Sequence, residues 1–421
     1  MIIDVDQLDC WRMKKIPELL FFQEGPGVRN SQYTDKGIKL LNVANLQDGK
    51  LVLSNTDRYI SEEEAYGRYK HFLVDDGDLI IASSGIKVEY FDKKMGFAEK
   101  SHLPLCMNTS TIRFKSLDIE ELNIRYFAYF LKTNYFKKQI GRLITGSAQL
   151  NFGPSHLKQI YVIVPPLEIQ LKIVDVLDKA KELIDKRKEQ IEALDELVKS
   201  KFIEMFGDPI NNPMKWEVKK MKDISSNIMS GNTPKGGEKV YVEKGIMFLR
   251  SQNVWKNKLI LDDVAYIDEE THSKMKKSSL KYKDILMTKT GRINTENSSL
   301  GRAAMFLGED DSANVNGHVY LIRLQNDIIN EFVLYILTSK EYRGYIRSVC
   351  VGGIDKRQLN KEHIENFPII FPPIEEQEKF VSYVKKVDKL KFKMEKSLKE
   401  LEDNFNSLMQ KAFKGELFNE D

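Results

Sequence analysis

The stretch from Val164 to Gly207 does most to restrict what this chain can fold into. It opens Val-Pro165-Pro166-Leu-Glu168-Ile-Gln170 and reaches Phe206-Gly207 with no interior glycine or proline. Apolar residues recur at Ile169, Ile173, Val176/Leu177, Ala180, Leu183/Ile184, Ile191, Leu194, Val198 and Phe202, and only Arg187 interrupts the seam. Steps of three and four, sustained for about five heptads with Glu, Lys and Asp on the other faces, predict a long helix that needs one partner helix. The prolines stop the preceding strand and pre-set the first turn, and Gly207 is the expected stop. At ~1.5 Å rise per residue the rod is roughly 57 Å long.

A partner lies in the same chain. Phe371-Pro372-Pro373-Ile-Glu375-Glu376-Gln377 repeats the lead-in about 207 positions later, and Phe380, Val384, Val387, Met394, Leu398, Leu401, Phe405, Leu408 and Ala412 form a second stripe ending near Gly415. Lys391 interrupts this one. Two rods of like length, each behind a block of similar size, predict antiparallel pairing, with two unrelated amphipathic helices as the alternative. The seams, Ile173, Leu177, Ile184, Ile191 and Leu194 against Val384, Val387, Leu398, Leu401 and Phe405, are expected to pair.

The repeat extends beyond the rods. Trp11-Arg-Met-Lys-Lys-Ile16 returns as Trp216-Glu-Val-Lys-Lys-Met221, and Gly37-Ile-Lys-Leu-Leu as Gly245-Ile-Met-Phe-Leu. Gly77-Asp-Leu-Ile-Ile-Ala-Ser-Ser-Gly85 matches Lys283-Asp-Ile-Leu-Met-Thr-Lys-Thr-Gly291, and Tyr126–Leu131 matches Phe332–Leu337. After each Gly-Ile strand a turn and a further short strand are expected, at 50–53 and 258–261. Segments 87–102 and 294–316 show no counterpart in sequence. A period this long is no solenoid unit; it is a duplicated module of short strands and a few helices followed by a long helix. One scaffold with unlike loops predicts two different binding surfaces.

The chain has 421 residues, 42% apolar and 30% charged, enough for two cores. A net charge of +3, from 65 basic and 62 acidic residues, decides nothing about nucleic acid, so any basic patch must be argued locally. Cys10, Cys106 and Cys350 are odd in number and far apart, which reads as thiols in a reducing compartment. Asp4, Asp6 and Asp9 stand where a signal peptide needs basic and then apolar residues. No apolar run approaches the ~18–20 residues of a membrane span. A cytoplasmic, soluble protein is expected.

Motifs for catalysis are not evident. Gly231-Asn-Thr-Pro-Lys-Gly236 has P-loop glycine spacing, but Gly237-Glu238 follows in place of the cation. Neither Pro-Pro pair is preceded by the amide or carboxylate of an adenine methyltransferase loop, and Asn212-Pro213-Met214 is no better. Asp208 with Glu217-Val-Lys219 imitates a nuclease spacing, yet the other copy has Arg12 where Glu217 stands. The six histidines have no ligand spacing, and no metal site is expected.

Binding chemistry is present in loops. The first module offers Arg68, Lys70, Ser84, Lys87, Tyr90, Lys93 and Lys94; the second offers Lys235, Arg250, Gln252, Lys276, Lys289, Thr290, Arg292 and Asn294, with His318 near a candidate contact loop. Arg, Asn and Gln can bridge base edges, while Lys, Ser and Thr anchor phosphates. Lys-rich loops are commonly just solvated; recurrence at equivalent places in both modules favours contact with DNA.

The paired Pro-Pro-x-Glu-x-Gln lead-ins, the Gly-Asp-Leu-Ile and Lys-Asp-Ile-Leu strands, and the Tyr-Phe-x-x-Phe-Leu-type helix resemble the specificity (S) subunit of type I restriction–modification systems over essentially the whole chain. The resemblance implies an α+β fold: two similar mixed α/β target-recognition domains separated by two long helices pairing as an antiparallel coiled coil. Residues 1–164 would be the first recognition domain, 165–207 the central helix, 208–371 the second domain and 372–421 the distal helix. It further implies a prokaryotic setting, double-stranded DNA as ligand, two methyltransferase (M) subunits docking on the helix seams and nearby surfaces such as the stretches around Gln170 and Gln377, often two restriction (R) subunits as further partners, and no catalysis by this chain. S-adenosylmethionine and ATP/Mg would bind the partners, with no cofactor on this chain. Two unlike domains on one rod would read an asymmetric, split site, whose adenine-N6 methylation and ATP-dependent restriction the partners carry out. The competing readings are a self-contained methyltransferase or nuclease, and a coiled-coil adaptor that never touches DNA.

Overall fold

The computed structural model describes residues 11–144, 150–293, 295, 297–353 and 356–418. Four helices frame it: α1 (Ile124–Phe130), α2 (Leu167–Phe206), α3 (Asn330–Thr338) and α4 (Ile374–Phe413). The rods α2 and α4 have 40 residues each, or ~60 Å at 1.5 Å per residue. The chain forms two compact units, 1–188 with 396–421, and 189–395. Each unit therefore contains half of each rod.

In unit 1 a four-stranded antiparallel sheet runs in the order Leu20–Glu24, Thr111–Ser116, Leu79–Ala82, Met95–Phe97. Leu79-Ile-Ile-Ala82 is apolar at every position because the strand is buried on both faces. A second sheet sets Leu105–Met107 parallel to Ile38–Leu41, which pairs antiparallel with Tyr59–Ile60. Arg12–Lys15 closes the unit against Tyr161–Val164, the strand that leads into α2.

Unit 2 repeats this topology strand for strand. Its four-stranded sheet runs Ser225–Ser230, Val319–Leu324, Ile285–Thr288, Ala303–Met305. Ala313–Val315 lies parallel to Ile246–Leu249, with Ala265–Ile267 antiparallel on the other side. Val218–Lys220 pairs with Pro368–Ile370 ahead of α4. The match reaches into segments whose sequences show none: Met95–Phe97 and Ala303–Met305 hold the same edge of the sheet, so 87–102 and 294–316 do contain counterparts. Three-residue strands with unlike side chains are too short to carry a signal in sequence. The two short strands expected after the Gly-Ile strands differ: Lys50–Leu51 pairs with Leu46–Gln47, whereas the second copy has a lone bridge, Val254 to Leu259.

The repeated lead-in has a mechanical cause. The Gln170 Nε2 donates to the Pro165 carbonyl at 2.9 Å, and the Gln377 Nε2 donates to the Pro372 carbonyl at 2.8 Å, so each amide folds back over the start of its own helix. Both amides are fully buried. Gln170 also accepts from the Asn123 N–H at 2.8 Å and donates to the Glu121 carbonyl at 2.8 Å, holding α2 to the cap of α1. Both glutamines thus lie inside their own units, with the Gln377 Oε1 left without a partner. Beyond the rods, Gly207 and Gly415 adopt φ of +72° and +75°, the left-handed conformation that ends a helix.

Within each unit the rods meet side by side. In unit 2 Phe380 packs on Phe206 and Phe202, and farther along Lys391 pairs with Asp195, so the halves run antiparallel there. In unit 1 Lys188 pairs with Glu402 at 3.0 Å, and the start of α2 shares a core with the end of α4, Phe413 stacking on Tyr126. Ile173, Leu177, Ile184 and Leu194 are buried along the expected seam, as is Val387. Ile191, Val384, Leu398, Leu401 and Phe405 are half-buried, while Leu183 is 54% exposed. The distal helix ends at Phe413, just before the expected stop at Gly415. Among the described residues no helix is long and apolar enough to cross a membrane.

Candidate nucleic-acid interface

In both units the chain leaves the buried third strand of the large sheet and enters a short polar strand at the same edge. In unit 1 this is Ser84–Ile86, paired with Leu150–Asn151; in unit 2 it is Thr290–Gly291, paired with Arg357–Gln358. The geometry is shared: the Phe152 N–H donates to the Ser83 carbonyl at 3.0 Å, and the Leu359 N–H to the Lys289 carbonyl at 2.9 Å. Below each strand a histidine Nδ1, His156 or His363, accepts a backbone N–H three residues earlier at 3.1 Å. Both histidines are capping residues, one per copy.

In unit 1 a cleft of about 440 Å³ opens at this edge, lined by Gln47, Asp48, Gly85, Ile86, Lys87, Tyr90, Lys93 and Lys94. Lys87 and Tyr90 are exposed. Lys93 lies 3.8 Å from Asp48, and the Lys94 Nζ donates to the Leu46 carbonyl at 2.9 Å, so Lys94 is spent within the fold. The Ser84 hydroxyl donates to Asn151 at 2.8 Å. Arg68 and Lys70 are exposed on a different stretch, Arg68 over the Tyr69 ring. The structure thus brings Lys87, Tyr90, Lys93 and Lys94 into one cleft, with Ser84 next to it on the edge strand, and leaves Arg68 and Lys70 outside.

In unit 2 the matching edge holds a cleft of about 490 Å³ lined by Thr290, Gly291, Arg292, Thr295, Asn297, Ser298, Ser299, Arg302 and Lys356. The Lys289 N–H donates to the His318 carbonyl at 2.9 Å, which brings His318 beside this strand. The Ser230 hydroxyl donates to the Gly317 carbonyl at 3.1 Å, setting the loop that carries Lys235 next to the His318 loop. Both Lys235 and His318 are exposed. Elsewhere, Arg250 pairs with Asp263 at 3.1 Å and the Gln252 amide donates to the same carboxylate at 2.7 Å, so these two brace a turn. Lys276 is exposed on a separate helical turn. Asn294 lies outside the described residues.

Arg302 and Lys356 were not singled out in sequence. Arg302 is 8% exposed, stacks on Trp255 at 3.7 Å and donates from Nε to the Ser298 carbonyl at 3.1 Å. Burial lowers its pKa; burial, then Arg347 and Arg302, lower that of Arg343. Unit 1 has Lys137 where Arg343 stands, paired with Asp92 at 2.7 Å. The one sequence signal for this edge was the offset shared by His156 and His363, which places Asn151 and Gln358 in register.

The other chemistry considered in sequence resolves into structure. The Asp208 Oδ1 accepts from the Ile210 and Asn211 N–H groups, and the Lys219 Nζ lies 3.9 Å from the Phe371 ring centre. Burial pushes the Cys106 thiol up to about 12. A larger cavity of unit 2, about 750 Å³, is lined mainly by Met247, Leu249, Leu259, Phe306 and Phe380, with the Glu331–Lys385 ion pair and Asp388 at its wall. Among the described residues no group of His, Cys, Asp and Glu could hold a metal ion.

Comparison with known proteins places this architecture. The family model described as the type I restriction modification DNA specificity domain matches residues 9–193 and again 213–403. The chain is 23% identical over 313 residues to the type I restriction enzyme StySPI specificity subunit of Salmonella potsdam, covering 69% of this chain and 65% of that one. Two other relatives, from Methanocaldococcus jannaschii, are matched over 46% and 44% of their length, so the chain spans less than two thirds of these relatives. Coverage is wider for the EcoKI specificity subunit of Escherichia coli K12, at 22% identity over 91% of this chain and 83% of that one. Among solved structures, the S subunit of a type I system from M. genitalium superposes with a TM-score of 0.50 at 17% identity over 96% of both chains. A chain from a structure of type I R-M complex assembly and conformational transition gives 0.58 at 16% identity over 97% of this chain and 98% of that one. These two likenesses concern the fold alone. With two copies of the domain, one per repeat, this chain belongs to the family of type I restriction–modification specificity subunits.

Proposed function

We propose that this chain selects the DNA target of a type I restriction–modification complex, reading an asymmetric bipartite site. Segments 1–164 and 208–371 each contact one half-site through the edge bearing Ser84–Lys87 or Lys289–Arg292. M subunits then methylate adenine N6 with S-adenosylmethionine, and R subunits restrict unmodified DNA with ATP/Mg; this chain binds neither cofactor and catalyses neither step. One observation carries the reading: the same sheet edge appears twice, with a basic, glycine-containing strand each time but different side chains around it. A repeated frame with unlike faces suits two unlike half-sites, because direct readout depends on donor and acceptor positions in the groove. The names of the relatives, all specificity subunits, support it. A rod of ~60 Å exceeds the roughly 34–36 Å between half-sites one helical turn apart.

The test is methylome sequencing of a host carrying this protein with its M partner. A split, non-palindromic adenine motif is expected, whose first half changes when the loops of 84–94 are replaced and whose second half changes when those of 289–302 are. A contiguous motif, or one indifferent to both replacements, overturns the reading. Methyl incorporation by this chain alone would show it to be an enzyme.

A further inference from the structure

The contact between each domain and the rod that follows it carries opposite charges in the two units. In unit 1 Arg125, on α1, meets Asp178, on α2, at 2.9 Å. Both residues recur at the repeat offset with signs reversed: in unit 2 Glu331, on α3, meets Lys385, on α4, at 3.3 Å. The surroundings follow suit. The Tyr129 hydroxyl donates to Asp178 at 2.7 Å, so that carboxylate serves two groups of its own domain. Glu331 is bracketed by a second cation, Lys283 at 3.1 Å, which stands where unit 1 has Gly77. Tyr335, the counterpart of Tyr129, packs between Phe202 and Phe380 at 4.8 Å from each ring.

We infer that this reversed pair is a fitting code between each domain and its rod, by which each domain fits the rod that follows it better than it fits the other. Set ahead of α2, the second domain would bring Glu331 against Asp178; set ahead of α4, the first would bring Arg125 against Lys385. Each exchange turns an attraction into a repulsion at about 3 Å, whereas the apolar contacts on either side are interchangeable in kind: Ile173 and Phe380, Val174 and Val381, Leu177 and Val384 occupy matching places on the rods. The apolar contacts thus differ in size but not in kind, and charge favours one order. The domain accepted ahead of α2 is one with a cation at the first turn of this helix; the domain accepted ahead of α4 has an anion there. The code concerns the stability of the chain and stands whether or not DNA is the ligand.

The experiment uses two full-length chains with residues 1–164 and 208–371 exchanged, one with native rods and one also carrying Asp178→Lys and Lys385→Asp. Thermal unfolding is expected to show the second melting about 2–4 °C above the first, from two partly exposed pairs restored in units of about 200 residues. Equal melting temperatures, or a lower one for the second chain, overturn the inference. If neither exchanged chain folds, double-mutant cycles in the native order decide. Arg125→Glu with Asp178→Lys, and Glu331→Arg with Lys385→Asp, are each expected to melt above the sum of their single variants, and additive shifts in both cycles refute the code.

Discussion

The two units differ least in backbone and most in how their polar groups are satisfied. Strand order in the large sheet and the glutamine that folds over each rod are the same, yet Gln170 makes three hydrogen bonds where Gln377 makes one and leaves its buried Oε1 without a partner. Asn123 caps α1 and gives its N–H to Gln170, whereas α3 begins after Ile329, which has no capping side chain. At the loop edge the order reverses. Unit 1 joins Lys137 to Asp92, while the same place in unit 2 holds Arg343 beside Arg302 and Arg347. A duplicated fold therefore keeps its apolar pattern, which only has to fill space, and lets its polar contacts diverge, because those can be re-formed in pairs.

The largest expected break of this likeness is in the apolar layer. Phe380 in unit 2 contacts Phe202, Phe206, Phe332 and Tyr335, while unit 1 has the smaller Ile173 in its place. Phe380→Ala should cost about 3–5 kcal/mol and Ile173→Ala about 2–4, read by denaturant unfolding; equal losses would mean that the aromatic cluster adds nothing. Next come the amides. Gln170→Met leaves the Asn123 N–H and two carbonyls unpaired and should cost about 1–3 kcal/mol, whereas Gln377→Met removes an orphaned acceptor and should cost less than about 1. A larger loss at Gln377 would contradict the asymmetry.

At the loop edge, Arg292→Ala should weaken DNA binding by the assembled complex by about 1–3 kcal/mol and relax selectivity in one half-site. Lys87→Ala should weaken it across all sequences and lower the salt slope by about one ion. Binding isotherms at several salt concentrations separate these; no change in either variant would remove the edge from the interface. The smallest effect is at Glu331. Burial pushes its carboxyl up, but its backbone hydrogen bond, Lys283 and Lys385 together hold it below the ordinary value of 4.5. A carboxyl depressed in the folded state stabilises above its unfolded pKa and loses that contribution as pH falls through the folded one. Wild type should therefore exceed Glu331→Gln by less than about 1 kcal/mol near neutral pH, with the gap closing below about pH 4.5 in melts across pH.

Much of this was legible along the chain. The rods, their Pro-Pro lead-ins, the glycine stops at Gly207 and Gly415, and the paired modules follow from periodicity and internal matching, which are local properties. The edge strands Met95–Phe97 and Ala303–Met305 were not, since three residues with different side chains share no pattern. Of the residues named for contact, Lys94, Arg250 and Gln252 turn out to hold their own loops, because the Leu46 carbonyl and the Asp263 carboxylate reach them only once the chain folds. Arg302 and Lys356 line one cleft although more than fifty residues separate them.

The sequence by itself determined that there are two modules and two long helices, since a heptad stripe and a repeat are written in neighbouring residues. Which cations face outward, which amide is satisfied, and which sign each domain presents to its rod were decided only by tertiary structure. A charge or hydrogen-bonding group acquires its partner from segments far away in the chain, and its role depends on that partner's identity and distance.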